Sequence, residues 1–349
     1  MKPAKALAQA ASVGDLKTMR TMMKQAPSLA VEWQPIMDVC FAGQAEAVEL
    51  LLECGADPNI SSKSAHHYRP LHRTVEYKKP FPKHPGHCTV VDLLLNAGAD
   101  PTQHGSYWLI SAIALCACGD AREFLPAMLK ALPAGLDIFH ASVLGEVDQV
   151  KKRLKKDPSL ADAKDSGTKM WGFEDGWTPL MYCARTRIGQ SSKKKADAVE
   201  QVAELLLGHG APHDSCIDLA IMSDNLSVAD VLLRVGAIIS NDDTINHAAC
   251  DGQFAALELL EQYNTPLDGT RGTEHHGGYT PLGCAVSSRS ITGVQWFLSR
   301  GQAPNKIKSK DKENCLHVAV QYGASEKMLQ LLLEHGATLN QTDRQGRTP

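Results

Sequence analysis

Histidine and cysteine are the residues of this chain whose chemistry is easiest to name. There are 14 histidines and 10 cysteines, and both types can ligate metals or act as nucleophiles and bases when neighbours activate them. The densest group is His84-Pro85-Gly86-His87-Cys88, three ligand-type side chains in one short run. Zinc requires four ligands, or three and a water, in tetrahedral array. This spacing is not that of a structural zinc site, and the surrounding prolines make the run an open loop. No metal and no other cofactor is expected. His66 and His67, shortly before that run, belong to the same cluster, and His275-His276 is weaker still. No cysteine forms a Cys-x-x-Cys pair. Cys40, Cys183, Cys250, Cys284 and Cys315 fall in helical stretches, and Cys116 and Cys118 in the apolar run Leu109–Cys118. They read as small buried side chains of a protein kept in a reducing compartment, the cytoplasm.

Local signatures of catalysis are missing from the sequence: no Gly-x-Ser-x-Gly, no His-Glu-x-x-His, no phosphate-binding loop. Sites assembled from distant loops leave no such signature. An enzyme or small-molecule binder using the loops around 60–90, 163–190 and 264–280 therefore stays open as the alternative. Lys193–Lys195 is a short basic run that reads as a solvated loop. Asn225-Leu-Ser and Asn340-Gln-Thr match the glycosylation pattern, but nothing marks the chain as secreted. The net charge of -3 argues against general nucleic-acid binding. No stretch approaches the apolar run needed to span a membrane.

Other residues suit recognition. Ala163–Gly176 holds Met170, Trp171 and Phe173 where helix packing does not demand aromatics, and Trp177 follows. Asn264–Gly278 contains His275 and is followed by Tyr279. Tyrosine, tryptophan and arginine anchor interfaces because they join a large contact area to a polar handle.

The elements that must carry these residues recur. Glu313–Asn340 reads as a helix with Leu316, Val318, Ala319 and Val320, a turn at Gly323, and a second helix with Met328, Leu329, Leu331, Leu332 and Leu333 stopped by Gly336. That second helix is apolar on more than one face, so it calls for cover on at least two sides. A pair this short needs similar pairs stacked beside it. With 43% hydrophobic and 5% aromatic residues, the core is expected to be mostly aliphatic.

The pattern Leu-His-x-Ala-x-x-x-Gly followed by Leu-Leu-x-x-Gly-Ala resembles the ankyrin repeat, a unit of about 33 residues. It recurs at Arg69–His72, Thr178–Leu180 and Thr280–Leu282, and at Leu51–Asn59, Leu94–Thr102, Leu206–Asp214, Leu232–Ser240 and Leu298–Asn305. Ala6–Ala30 and Phe139–Ala161 echo each other as a proline-ended variant, and His247–Pro266 is related. Further units read as Pro35–Asn59, Tyr68–Thr102 with the insertion Lys78–Cys88, Tyr107–Pro133, Trp177–Asp214 with the insertion Arg187–Ala196, Cys216–Ser240 and Tyr279–Asn305. In Tyr107–Pro133 the first helix is expected to include Trp108, Leu109 and Ile110. The resemblance implies an all-α solenoid of about ten stacked helix-turn-helix units with short turn hairpins, one array over residues 1–349. Asp343–Pro349 reads as the start of an incomplete further repeat, which would leave the last unit poorly covered unless that segment folds back as a cap.

The resemblance also implies a function: binding of another protein, with no membrane and no covalent reaction, through a concave face. On the positions matching the motif, the outward residues are expected to be Arg73, Glu76 and Tyr77; Tyr182, Arg185 and Thr186; Ser287 and Ser288; and Gln321 and Tyr322. Trp171, Phe173, Trp177, His275 and Tyr279 in the inserted loops would extend that surface. His72 and His317 occupy the Leu-His position, where the imidazole is expected to bond within and between loops, and His140 and His247 look equivalent.

Overall fold

A polar side chain followed by proline starts a helix at several of the recurring motifs. Thr178 accepts a hydrogen bond from the Met181 amide with Pro179 next in line, and Thr280 does the same for Gly283 ahead of Pro281. The side-chain oxygen satisfies an amide that has no partner inside the helix, and proline loses nothing at the first position. Glycine closes the helices. Gly323 and Gly336 have φ of 63° and 87°. A Cβ at either would meet nothing within 4 Å, so glycine is required there for its backbone freedom and not for space.

The computed structural model describes residues 3–76, 86–132, 135–168, 175–240, 243–269, 278–306 and 311–349. Their contacts define two units, Met1–Pro212 and His213–Pro349. The first unit holds the helix pairs α1 (Pro3–Ser12) and α2 (Leu16–Gln25), α3 (Trp33–Ala42) and α4 (Ala45–Glu53), and α5 (Pro70–Val75) and α6 (His87–Asn96). It continues with α7 (Ala112–Cys118) and α8 (Leu125–Lys130), α9 (Ile138–Val143) and α10 (Val147–Lys156), and α11 (Pro179–Arg185) and α12 (Lys193–Gly208). The first helices pack in sequence, α1 on α3, α3 on α5, α5 on α7, α7 on α9 and α9 on α11. The second helices do so in α4, α6 and α8, and again in α10 and α12. Leu7, Ile36, Leu51, Leu94, Ile113, Leu154 and Leu180 are fully buried between them. Each contributes about 1.5–3 kcal/mol by leaving water.

Three local expectations need correction. Trp108 and Leu109 are not helical. A hairpin of β1 (His104–Gly105) and β2 (Ile110–Ser111), with His104 opposite Ser111, precedes α7, and both residues sit in its turn. Ser111 caps α7 by accepting from the Ala114 amide, which fixes the helix start beyond the aromatic pair. Lys193–Lys195 is not a loop but the first turn of α12, capped by Ser192. His87 and Cys88 open α6, and the Nε2 of His87 lies 3.1 Å from the Phe41 carbonyl oxygen. His84 lies outside the described residues.

Residues from the sixth pair also reach back to the fourth. Thr186 Oγ1 donates to the Val143 carbonyl (2.6 Å) and lies 3.3 Å from the Ala117 carbonyl, to which the Arg187 amide donates at 2.9 Å. Thr186, expected to face outward, is therefore buried.

The second unit holds α13 (Cys216–Met222) and α14 (Leu226–Arg234), α15 (Asp243–Asp251) and α16 (Phe254–Gln262), α17 (Pro281–Ser287) and α18 (Ile291–Ser299), and α19 (Cys315–Gln321) and α20 (Glu326–Glu334). Again the first helices pack in order, α13 on α15, α15 on α17 and α17 on α19. α20 is less covered than its composition suggests. Met328 and Leu332, one turn apart, are buried, whereas Leu333 is 41% exposed. Asp343–Pro349 folds back. The Asp343 amide donates to the Arg347 carbonyl, and that carbonyl accepts from His317 Nε2 at 3.0 Å.

All ten cysteines are free thiols. Cys40, Cys116, Cys118, Cys183, Cys284 and Cys315 are buried as expected, Cys250 only partly. Burial pushes the Cys40 thiol up to about 12.

Candidate binding face

Arg73 and Glu76 lie at the C-terminal end of α5, where the repeat pattern puts them, but both are engaged. The Arg73 guanidinium sits 4.3 Å from the Phe41 ring centre and 5.3 Å from that of Tyr68. Glu76 lies 3.7 Å from Arg73 and accepts from the Tyr68 hydroxyl at 2.9 Å. Their side chains are 26% and 13% exposed, a surface patch held in one conformation.

Trp177, Tyr182, Arg185 and Tyr279 were expected at the surface and are buried, at 0%, 2%, 9% and 8% exposure. For Tyr182 the cause is the inserted loop that precedes α11. Its residue Asp165 accepts from the Tyr182 hydroxyl at 2.7 Å and from His104 Nε2 at 2.8 Å. The Trp177 ring packs edge-on to Tyr182 at 5.1 Å, and Phe139 lies 5.8 Å from it on another side. Burial opposes the Asp165 charge, yet the bonds from His104 and Tyr182 outweigh it and hold the carboxyl below its ordinary range. Burial and the Asp165 charge raise the Tyr182 hydroxyl well above its own.

Arg185 opens onto a cavity of about 260 Å³. Val75 and Glu76 border it from the end of α5, Ser106, Tyr107 and Trp108 from the hairpin turn, and Leu115 and Cys118 from α7. Gly119, Asp120, Ala121 and Arg187 complete it. The Arg185 guanidinium lies 4.9 Å from the Trp108 ring centre. Burial lowers the proton affinity of Arg185 from its usual value, which still leaves the guanidinium charged at neutral pH. Tyr107 is 45% exposed at the rim.

A second arrangement has the outline of nucleophilic chemistry. Ser111 Oγ is 2.8 Å from His140 Nε2, and His140 Nδ1 is 2.6 Å from Asp137. Serine, imidazole and carboxylate in this order would activate a hydroxyl. Here the hydroxyl is 2% exposed and already caps α7, while Asp137 caps α9 by accepting from the His140 amide. The set ties the start of one repeat's helix to the next. His72 does the same one repeat earlier, its Nε2 donating to the Ile110 carbonyl at 3.0 Å. Among the described residues no group of three His, Cys, Asp or Glu side chains is placed to hold a metal ion.

In the second unit Tyr279 turns inward, its hydroxyl 3.3 Å from both Glu313 and Gln321. Gln321 is exposed and Tyr322 is 44% exposed, as the repeat position implies. Another cavity, of about 370 Å³, lies beside Trp296, Arg300 and Lys306. Its cations are matched, Arg300 by Glu261 at 3.1 Å and Lys306 by Asp268 at 2.9 Å.

Tyr77, Trp171, Phe173 and His275 lie outside the described residues. The structure brings Glu76 and Arg185 to one cavity. Sequence reasoning missed Ser106, Tyr107, Trp108, Arg187, His104 and Asp165. The one available signal was Gly-Ser-Tyr-Trp between two repeat motifs, a glycine-led aromatic pair suited to a turn.

The ankyrin repeat family model matches residues 32–63, 175–217 and 311–344. The chain is 34% identical over 91 residues to human transient receptor potential cation channel subfamily A member 1, a match covering 26% of this chain and 8% of the channel. The crystal structure of the human ASB11 ankyrin repeat domain is similar with a TM-score of 0.48 and 19% identity, over 61% of this chain and 89% of that one. Among the described residues no helix is long and apolar enough to cross a membrane. The three matches fall on the helix pairs α3–α4, α11–α12 and α19–α20, which are similar to ankyrin repeats.

Proposed function

We propose that the chain is a binding module for another protein, which it holds along the face made by the C-terminal ends of its first helices and the hairpin turn. One observation carries this reading. Side chains of three different repeats, at the end of α5, in the hairpin turn with α7, and at the end of α11, converge on one cavity with Tyr107, Trp108 and Arg185 among them. Aromatic and arginine side chains around a concave feature are what protein interfaces favour. Arg73, Glu76, Gln321 and Tyr322 extend the face along the repeats of each unit. The same repeat recurs in both units, which supports one array over residues 1–349. The ten free thiols support a reducing compartment, the cytoplasm. The test is photo-crosslinking in cells of the source. A crosslinker at Tyr107 should capture a protein that a crosslinker at Ile238, 80% exposed, does not. Equal capture from both positions, or capture only from Ile238, overturns the reading.

A further inference from the structure

The cavity beside Arg185 has chemistry that narrows the partner, given the protein-binding reading above. Ser106 lines it, is 1% exposed, and its hydroxyl has no hydrogen-bond partner in the protein. Its φ of 74° lies in the left-handed region that a serine seldom adopts. Arg187 lines the same space, and its Nε is also buried with no hydrogen-bond partner. Buried donors of this kind are rare in folded proteins and point to an absent acceptor. The acids at the walls do not fill that role. Glu76 is held by Tyr68 and Arg73, and Asp120 stands 3.9 Å from Arg187 with its side chain 55% exposed. Within the lining Arg185 and Arg187 balance Glu76 and Asp120, and Glu76 is also paired with Arg73 outside the lining, which leaves one positive charge in excess. A volume of about 260 Å³ is below that of most drug-sized ligand pockets and suits a single side chain.

We propose that this cavity is an anchor for a carboxylate carried by the bound protein segment. The carboxylate accepts from Ser106 Oγ and Arg187 Nε, and the neighbouring apolar or aromatic residue of the segment rests against Tyr107 and Trp108. A planar acid matches guanidinium donors, and the Trp108 ring 4.9 Å from Arg185 restrains that side chain in advance. Aspartate, glutamate and a chain terminus supply the same group.

The probe is a display library of random unstructured peptides selected on the full chain. The recovered peptides should share an acidic residue next to an apolar one. Replacing that acid by its amide should weaken binding by about tenfold or more, the usual worth of a charge-assisted hydrogen bond. Amidation of the peptide terminus separates a side-chain acid from a terminal one. R187M and S106A should each weaken binding of the acidic peptide while leaving the amide peptide unchanged. R187M should keep the wild-type circular dichroism and thermal midpoint, and S106A should keep the circular dichroism with a midpoint at or above that of wild type, since it removes a buried unsatisfied hydroxyl. Peptides that bind equally as acid and amide, or that bind R187M and S106A as they bind wild type, overturn the anchor. If such peptides still crosslink to Tyr107, the binding face stands without it. Recovery of no peptide, or of phosphorylated peptides alone after kinase treatment of the library, overturns the proposal. The first of these outcomes also counts against the face itself.

Discussion

His72 shows how one buried side chain makes the fold sensitive to pH. Burial is the main reason its imidazole is pushed down to about 4 from 6.5, and the bond to Ile110 only partly offsets it. Above 6.5 the imidazole is neutral folded or unfolded, so its full contribution is present. Between 6.5 and 4 only the unfolded chain takes up the proton, and stability is lost as pH falls. Below 4 the loss levels off. Urea unfolding from pH 7 to pH 4 should show a decline, relative to His72→Gln, on the order of 3 kcal/mol. Parallel curves for the two proteins would sink this assignment. Gly105 is the neighbour that lets His72 sit there, since an added Cβ would lie 2.7 Å from its ring and 2.9 Å from the His67 carbonyl oxygen. Gly105→Ala should therefore lower stability by about 1–3 kcal/mol, read from the same urea curves. Ser106→Gly should do the reverse. It relieves a left-handed conformation worth about 1–2 kcal/mol and removes a buried unsatisfied hydroxyl worth about 1–3 kcal/mol. Against these stands about 1 kcal/mol of added chain entropy in the unfolded state. A rise in thermal midpoint is expected, and a fall would mean the hydroxyl is satisfied in solution.

At the level of the helix the repeat pattern was readable and its surroundings were not. Leu180, Leu282 and Leu316 are buried at their motif positions, and Thr178 and Thr280 cap as their place before proline implies. Tyr182 and Arg185 failed because exposure after the motif depends on what covers the helix end. That cover comes from Asp165 in an insertion and from Trp108 in a hairpin, neither of which local spacing reveals. The hairpin itself rests on non-glycine residues at positive φ, Ser106 and Leu109, which composition does not signal. Arg185→Glu consequently tests burial: it should cost about 3–5 kcal/mol, far beyond a surface charge reversal. α20 makes the opposite point. Val320, Tyr322, Leu333 and Leu339 are all more than two-fifths exposed. Amides of α20 should exchange with solvent faster than those of α17 and α18, and equal protection in a dilute monomer would show that the folded-back Asp343–Pro349 covers the last pair fully.

On the scale of the whole molecule, repeat proteins are held by neighbour contacts, so each repeat would be expected to come away singly. The first unit departs from this where the Arg187 amide, beside Thr186 Oγ1, bonds past α9 to the carbonyl of Ala117 at the end of α7. A tether that skips a neighbour bears load in parallel with the packing it bypasses. Under a pulling force the fourth, fifth and sixth pairs would release together, since none can peel while the tether holds. Force spectroscopy on the full chain should show one long extension step there, set among shorter steps from the flanking pairs. Thr186→Val, which drops the hydroxyl bonds and leaves the Arg187 amide on Ala117, should lower the force of that step.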